Sequence, residues 1–133
     1  MNPVFADAFF FFAMLNEKDA AHQTAKSFSA QTDAPYVTTA WVLTEVADGC
    51  ASPDRRGVFL RLLDMLNESP DAKIVPSSER RFERGIELFR QRPDKDWSLT
   101  DCISFVVMKD EGIADALTGD RHFEQAGFQA LLK

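Results

Sequence analysis

Apolar and polar residues alternate with two different periods along the chain, and this alternation predicts both strands and helices. Short runs rich in β-branched or apolar residues predict strands. They lie at residues 3–6, 36–39, 72–75, 114–118 and 128–131. Longer segments with apolar residues at helical spacing predict helices. They lie at residues 9–16, 19–31, 40–51, 54–68, 79–91 and 100–111, with one further helical turn at 121–125.

The order of these elements predicts the fold class. Short strands that alternate with longer helices indicate a parallel sheet, because parallel strands need crossover connections. We therefore predict an α/β fold, a three-layer α/β/α sandwich with a mainly parallel central sheet, formed by residues 1–133 as one domain. In such sheets ligands bind at the carboxyl ends of the strands, where the strand order reverses.

Composition and charge narrow the class of protein. The 133 residues are 45% hydrophobic, which is enough for one core, and the net charge of -6 argues against coating nucleic acid or anionic membranes. The longest apolar run, residues 4–15, is broken by Asp7, is too short to span a bilayer and follows no basic region. We expect a cytoplasmic protein without a membrane anchor.

The two cysteines do not suggest a metal or disulfide site. Cys50 and Cys102 stand alone in apolar surroundings, without the paired spacing of a zinc site. We interpret both as buried small apolar residues.

Three aspartates lie near the predicted carboxyl ends of the strands, where a ligand-binding or catalytic site is expected. Asp7 closes the first strand, Asp120 follows the fourth, and Asp101 opens a helix. Each also has a structural interpretation. Asp7 can cap the next helix, Asp101 can form a capping box with Ser98, and Asp120 after Gly119 is ordinary turn chemistry.

Glu45 is harder to explain structurally. Its helical neighbours include Trp41, Val42 and Val46, which places its carboxylate on or beside an apolar stripe. A buried carboxylate without a partner is unfavourable, and no lysine or arginine lies within one helical turn on that face. The compensating charge must come from elsewhere in the fold or from a bound cation.

Four acids that converge at one edge of a sheet indicate a divalent metal, because like charges in a low-dielectric cleft repel one another. Oxygen ligands with few histidines favour Mg²⁺, or Mn²⁺, over zinc. Ser98 and Thr100 can add hydroxyl groups to the site. Such a metal activates water and polarises a phosphodiester, which predicts phosphodiester cleavage.

Other titratable residues compete for these roles. Asp115 and Asp120 lie at opposite ends of the fourth strand, so only one reaches its carboxyl end, and we choose Asp120. His122 is either a general acid or base or a structural histidine on a turn, and the second interpretation is the commoner. His22 has no visible partner and is expected on a helix surface.

Aromatic residues leave two interpretations open. Phe9, Phe10, Phe11 and Phe12 cannot all face one side of a helix, so we expect at least one to meet another chain. The alternative is a helix buried on several sides by its own domain. Trp41 and Trp97 either pack in the core, which we favour, or stack on nucleobases.

Basic residues are unevenly distributed. Residues 53–95 contain 10 basic and 8 acidic residues, whereas the remaining sequence contains 5 basic and 13 acidic. Several arginines of this segment are candidates for contact with an RNA backbone. They are Arg55, Arg56, Arg80, Arg81 and Arg84. Interspersed glutamates equally suit surface ion pairs at helical spacing.

Three segments carry a resemblance to a known family. They are PVFADAFFFFAMLNEKDAAH, VTTAWVLTEVADG and WSLTDCISFVVMKDEGIADALTGDRHFEQAGF. Together they resemble the PIN domain, specifically the VapC-like ribonuclease toxins of type II toxin-antitoxin systems. The last segment, with SLTDCISF and LTGDRHF, is the most specific.

The resemblance implies a metal-dependent endoribonuclease with Asp7, Glu45, Asp101 and Asp120 as its acidic quartet. Asp7 and Asp101 match the positions that hold Mg²⁺ most directly. It also implies an RNA substrate, a homodimer and a cognate antitoxin protein. Ala8 departs from the family pattern, which has threonine or serine after the first aspartate. The alternative is therefore a PIN-fold module that binds RNA or protein without cleaving.

Overall fold

A computed structural model describes residues 2–133, which form five strands and seven helices. The strands are β1 (Val4–Ala6), β2 (Tyr36–Thr39), β3 (Ala72–Val75), β4 (Asp115–Leu117) and β5 (Gln129–Ala130). The helices are α1 (Ala8–Leu15), α2 (His22–Gln31), α3 (Ala40–Gly49), α4 (Arg56–Glu68), α5 (Glu79–Gln91), α6 (Leu99–Glu111) and α7 (Arg121–Gln125).

The strands form one sheet in the order β3-β2-β1-β4-β5, and all pairings are parallel. The predicted three-layer α/β/α fold is therefore confirmed. Phe5 in the central strand β1 is in register with Val37 of β2 and Ala116 of β4. The chain first extends the sheet on one side of β1 and later returns to the other. The strand order thus reverses between β1 and β4. In such sheets ligands bind at the carboxyl ends of the two strands on either side of this reversal, which we call the carboxyl edge of the sheet.

Side-chain caps begin the helices that border this edge. Thr39 Oγ1 accepts a hydrogen bond from the backbone N–H of Val42 at the start of α3. Ser98 and Asp101 form a capping box at the start of α6, in which each side chain accepts from the other's backbone N–H. These caps satisfy N–H groups that the helix leaves free, and they fix where each helix leaves the edge.

Helix α6 forms the centre of the core on one face of the sheet. Every residue from Cys102 to Met108 is buried, and the Phe105 ring meets the rings of Trp97 and Phe123 edge-on. Trp97 is buried and its Nε1 donates to Gln125 Oε1. The interpretation of Trp97 as a core residue is therefore confirmed.

Both cysteines are free and buried, as predicted. Burial raises the pKa of the Cys102 thiol to about 11, and the neighbouring Asp101 charge adds to this effect. The thiol is therefore protonated at neutral pH, which leaves it unreactive.

Helix α2 begins later than the sequence predicts. Asp19 Oδ1 accepts a hydrogen bond from the backbone N–H of Ala21, and this local turn replaces the first helical turn. The surface position expected for His22 is wrong as well. Its Nδ1 lies 2.7 Å from the carbonyl oxygen of Ala13, so the imidazole joins α2 to α1.

None of the helices described in residues 2–133 is long and apolar enough to cross a bilayer. The longest of them, α4, α5 and α6, have 13 residues each. A span of the hydrocarbon core needs about 20 residues.

Candidate active site

The four predicted carboxylates come from four separate elements around the reversal point of the sheet. Asp7 follows β1 directly, and Asp120 follows β4 by a short turn. Glu45 lies on α3, and Asp101 lies in the first turn of α6. Their charges influence one another. The Asp101 charge raises the pKa of Asp7 and of Glu45, and the Asp120 charge raises the pKa of Glu45 and of Asp101. The structure therefore places all four around one cleft, and among the described residues the ligand atoms of Asp101 and Asp120, with His122, are the ones that lie within 4.8 Å of one another.

Asp7 is the deepest member of the cluster, with 6% of its surface exposed. Burial, with smaller contributions from the Asp101 and Glu45 charges, raises the pKa of Asp7 to about 7. The Asp7 side chain does not cap α1. Instead its Oδ2 accepts a hydrogen bond from Thr118 Oγ1 at 3.0 Å, and this bond, with a smaller effect of the Ala8 backbone N–H, opposes the rise. A buried carboxylate whose pKa stays raised despite these donors is poorly compensated, which suits a cation ligand better than a structural role.

Thr118 is a site residue that the sequence reasoning missed. Its hydroxyl is fully buried, donates to Asp7 and accepts from the backbone N–H of Asp120 at 3.1 Å. One oxygen atom therefore fixes the Asp7 carboxylate relative to the turn that carries Asp120. Thr118 also provides a hydroxyl partner for Asp7, which the alanine at position 8 cannot provide.

Asp101, Asp120 and His122 form the tightest group. One ligand atom from each lies within 4.8 Å of the others. His122 Nδ1 lies 3.1 Å from Asp101 Oδ2 and 3.3 Å from Asp120 Oδ1. His122 is therefore not a solvated turn histidine; it contacts two members of the predicted quartet and orients them.

Burial is the largest cause that raises the pKa of Asp101, followed among the raising effects by the Asp120 charge. The Ser98 backbone N–H and the His122 ring act in the opposite direction. Asp101 combines both interpretations left open by the sequence, because it caps α6 and also faces the other carboxylates. Asp120 likewise caps α7 by accepting from the backbone N–H of His122.

The expected burial of Glu45 is wrong. Val42 and Val46 beside it are fully buried, but Glu45 itself is exposed. Its flexible side chain reaches from the edge of the apolar stripe toward the cleft. Partial burial of the carboxylate raises the pKa of Glu45, and the Asp101, Asp120 and Asp48 charges raise it further.

The remaining predicted polar contributors have other positions. The Ser98 hydroxyl accepts from the backbone N–H of Asp101 as the cap of α6, so it is already engaged there. Thr100 is half-buried in the first turn of the same helix. A role for either hydroxyl at the metal stays a prediction. Asp115 begins β4, at the end of the strand away from Asp120, which agrees with the choice of Asp120.

Two of the candidate RNA-contacting arginines form ion pairs. Arg84 binds the Asp110 carboxylate through two nitrogens at 2.7 and 3.0 Å, and Arg81 lies 3.9 Å from it. Asp110 is nine residues after Asp101 on α6, which corresponds to about 14 Å along the helix axis. Arg81 and Arg84 therefore form surface ion pairs, as the alternative interpretation predicted, but their partner is Asp110 on α6 and not a glutamate of their own helix. Arg56 and Arg80 are exposed and Arg55 is half-buried. Contact of these arginines with RNA stays a prediction.

The chemistry of this cluster fits a divalent cation with oxygen ligands. Within residues 2–133 no lysine or arginine forms an ion pair with any of the four carboxylates. Burial, with smaller contributions from neighbouring carboxylates, raises the pKa of three of the four, Asp7, Glu45 and Asp101. A hard cation compensates such charges, and Mg²⁺ or Mn²⁺ suits carboxylates.

Residues 4–129 match the family model described as "PIN domain". The chain belongs to the PIN domain family. The match includes all four carboxylates of the cluster, so the resemblance of the three sequence segments is confirmed. No curated protein sequence matches this PIN domain significantly.

Solved structures give two informative comparisons for the PIN domain. VapC20 of Mycobacterium tuberculosis, described as a sarcin-ricin loop cleaving toxin, is 26% identical with a TM-score of 0.85. The match covers 94% of this chain and 95% of VapC20. FitAcB of Neisseria gonorrhoeae is 15% identical with a TM-score of 0.68 and covers 96% of this chain and 95% of its own, a likeness of fold alone. The predicted membership of the VapC-like ribonuclease toxins is confirmed by the family model and VapC20 together.

Replacement of Thr118 by valine tests whether its hydrogen bond orients the Asp7 carboxylate for metal binding. The valine keeps the volume but removes both hydrogen bonds of the hydroxyl. Loss of a partner that orients a metal ligand typically weakens metal affinity about 10–100-fold, and we expect a loss of that size for Mn²⁺ in calorimetric titration. Thr118→Ser should restore most of the affinity.

Thr38→Val is the matched control. Thr38 is also buried, and its hydroxyl donates to the Ala6 carbonyl at 2.8 Å without touching a carboxylate. This variant should lose stability but keep its Mn²⁺ affinity. Equal losses of affinity in Thr118→Val and Thr38→Val would contradict a specific role of Thr118.

Proposed function

We propose that this PIN domain is a divalent-metal-dependent endoribonuclease that acts as the toxin of a toxin-antitoxin pair. The observation that carries the proposal is the convergence of Asp7, Glu45, Asp101 and Asp120 at the reversal point of the sheet, where no lysine or arginine of residues 2–133 pairs with them. Family membership supports the reaction class, and the donor atoms support Mg²⁺, with Mn²⁺ as a substitute.

Each residue has a distinct part in this proposal. Asp7 and Asp101 would hold the cation most directly, and Glu45 and Asp120 would complete its surroundings. A divalent cation bound there lowers the pKa of a water molecule and polarises the phosphodiester. Without a cation, the Asp7 carboxyl retains its proton for about half of the time near neutral pH. That proton must leave before Asp7 can serve as an anionic ligand.

Two further residues prepare the site. His122 Nδ1 contacts both Asp101 and Asp120 and keeps their carboxylates turned toward each other. Thr118 holds Asp7 by a hydrogen bond. Such preorganisation matters because the ligands must be fixed before the phosphodiester arrives.

The proposed partners follow from the proposed activity. RNA is the substrate, and the cytoplasm is the place of action. The description of VapC20 as a toxin supports a cognate antitoxin for this chain as well. A homodimer remains the expected assembly.

The alternative of a binding module without cleavage depended on the alanine at position 8. Thr118, directly after β4, gives Asp7 a hydroxyl partner, and Ala8 itself is buried. No feature of the site therefore favours the inactive module over the nuclease.

The proposal is tested by incubating the purified protein with structured RNA that includes a sarcin-ricin loop. We expect cleavage with Mg²⁺ or Mn²⁺, loss of cleavage in excess chelator, and recovery when either metal is restored. The cluster predicts that metal restores activity, since no lysine or arginine of residues 2–133 pairs with the four carboxylates. Cleavage that continues in chelator, or none under any condition, would contradict the proposal.

A further inference from the structure

Helix α1 carries two phenylalanines that pack against the core but are only partly buried. Phe10 and Phe11 are buried and their rings pair with each other, and Phe10 also meets Tyr36. Phe9 and Phe12 are only partly buried, and within residues 2–133 neither forms a ring pair. Residues three apart lie on one face of a helix, about 5–6 Å apart at their Cβ atoms. Phe9 and Phe12 therefore form a continuous, partly exposed strip, which we call the aromatic strip.

One end of the aromatic strip lies at the turn that carries Asp120. The Phe9 ring lies so close to Gly119 that a Cβ atom there would be 2.6 Å from its Cζ. Gly119 separates Thr118, which holds Asp7, from Asp120. The tip of the Phe9 ring therefore lies against the backbone between two residues of the carboxylate cleft.

The other end of the strip lies at the end of α3. The Phe12 ring approaches Gly49 so closely that a Cβ atom there would be 2.6 Å from Cε1 and 2.8 Å from Cζ. Gly49 follows Asp48, which is near enough to Glu45 to act on its carboxylate. The strip therefore runs from the Asp120 turn to the helix that carries Glu45, along one side of the cleft.

We propose that the aromatic strip binds nucleobases of single-stranded RNA beside the phosphodiester to be cleaved. This inference rests on the proposed function and adds a substrate-binding surface to it. Bases stack on aromatic rings whatever their sequence, and the spacing of one helical turn suits two neighbouring bases. Carboxylates and a cation act on the phosphate, which leaves the neighbouring bases free to stack on an aromatic surface beside the cleft.

A protein partner is the competing occupant of the strip. RNA is favoured because both rings lie against residues adjacent to the cleft, whereas the most exposed large apolar residues of the chain lie on other helices. Those residues are Leu60 and Met65 on α4 and Phe82 and Phe89 on α5.

Kinetics of RNA cleavage with Phe9→Leu and Phe12→Leu test the proposal. Leucine keeps apolar packing on the glycine but removes the flat ring. Stacking on one aromatic ring corresponds to roughly tenfold in affinity, so we expect KM to rise about tenfold for each variant with kcat changed less than about twofold. Phe9→Tyr should restore KM. Phe89→Leu, which removes an exposed ring from α5, should leave both constants unchanged.

Binding by the unmodified protein gives a second readout that needs neither cleavage nor folded variants. Fluorescent poly(A) should bind about tenfold more tightly than a ribose-phosphate oligomer without bases, because only the first can stack. Failure to cleave RNA would remove the proposed function, but a preference for bases would still support the strip. Equal binding of the two probes, or a KM unchanged in both leucine variants of an active enzyme, would overturn the inference. Loss of binding to a protein partner with unchanged RNA binding would overturn it in favour of that partner.

Discussion

Replacement of Asp101 by asparagine should reduce RNA cleavage by about a thousandfold or more. The charge of Asp101 raises the pKa of both Asp7 and Glu45, and its carboxylate contacts His122 directly. An amide removes one negative charge from the cation site, and loss of one group that stabilises transition-state charge costs about 10²–10³-fold in other hydrolases. Loss of metal affinity adds to that effect. Initial rates at saturating RNA measure the change, at saturating Mn²⁺ for the loss in the chemical step and at a fixed lower Mn²⁺ concentration for the added loss of metal affinity.

Asparagine retains an oxygen that can accept from the Ser98 backbone N–H, so the capping box of α6 should survive the substitution. The matched control is Asp115→Asn, a carboxylate at the opposite end of β4 from Asp120. This control should keep full activity. Equal activity of Asp101→Asn and Asp115→Asn would remove Asp101 from the proposed site.

Without metal, the stability of the wild-type protein should fall as pH rises from about 4 to about 7. The pKa of Asp7 is raised from 3.8 to about 7 in the folded state, so the folded protein holds more protons than the unfolded chain across this interval. The stabilisation is therefore present at low pH and is lost as pH rises through the folded pKa. The full loss is about 4 kcal/mol of the free energy of unfolding.

Urea unfolding in excess chelator at several pH values measures this slope. Asp7→Asn carries no titrating group at this position, so its slope should be shallower, with the remaining part from Glu45 and Asp101, whose pKa values are also raised. It should be the more stable protein at about pH 8, and we expect it to be inactive. Added Mg²⁺ should stabilise the wild type there and have little effect on the variant. A wild-type stability that stays constant through this interval would show that Asp7 is already ionised in the folded protein.

The strand and helix pattern predicted the fold well because the spacing of apolar residues along each segment is a local property of the sequence. The all-parallel sheet follows from short apolar strands that alternate with helices, and the observed bounds differ from the predicted ones by a few residues. Helix α2 shows the exception. There the Asp19 side chain competes with the helix for a backbone N–H, a choice that hydrophobic spacing does not reveal.

The places of the candidate carboxylates in the fold were predictable from the sequence, but their contacts were not. Asp7, Asp101 and Asp120 follow from positions at strand ends and helix starts, strengthened by the resemblance to the PIN domain. The bond from Thr118 to Asp7 joins residues 111 positions apart, and the contact of His122 with Asp101 spans 21 positions. Only the folded chain sets these distances. The exposure of Glu45 was missed because helical spacing places the backbone and leaves the direction of a long side chain open.

The distance along the chain between Asp7 and Thr118 also bears on synthesis. While a ribosome translates this protein, Asp7 and Glu45 emerge early, and Thr118 emerges 111 residues after Asp7. The central strand β1 lacks its β4 neighbour until then. A nascent chain without β4 therefore lacks both Asp120 and the hydroxyl that fixes Asp7, so the cleft is completed only when this strand joins the sheet.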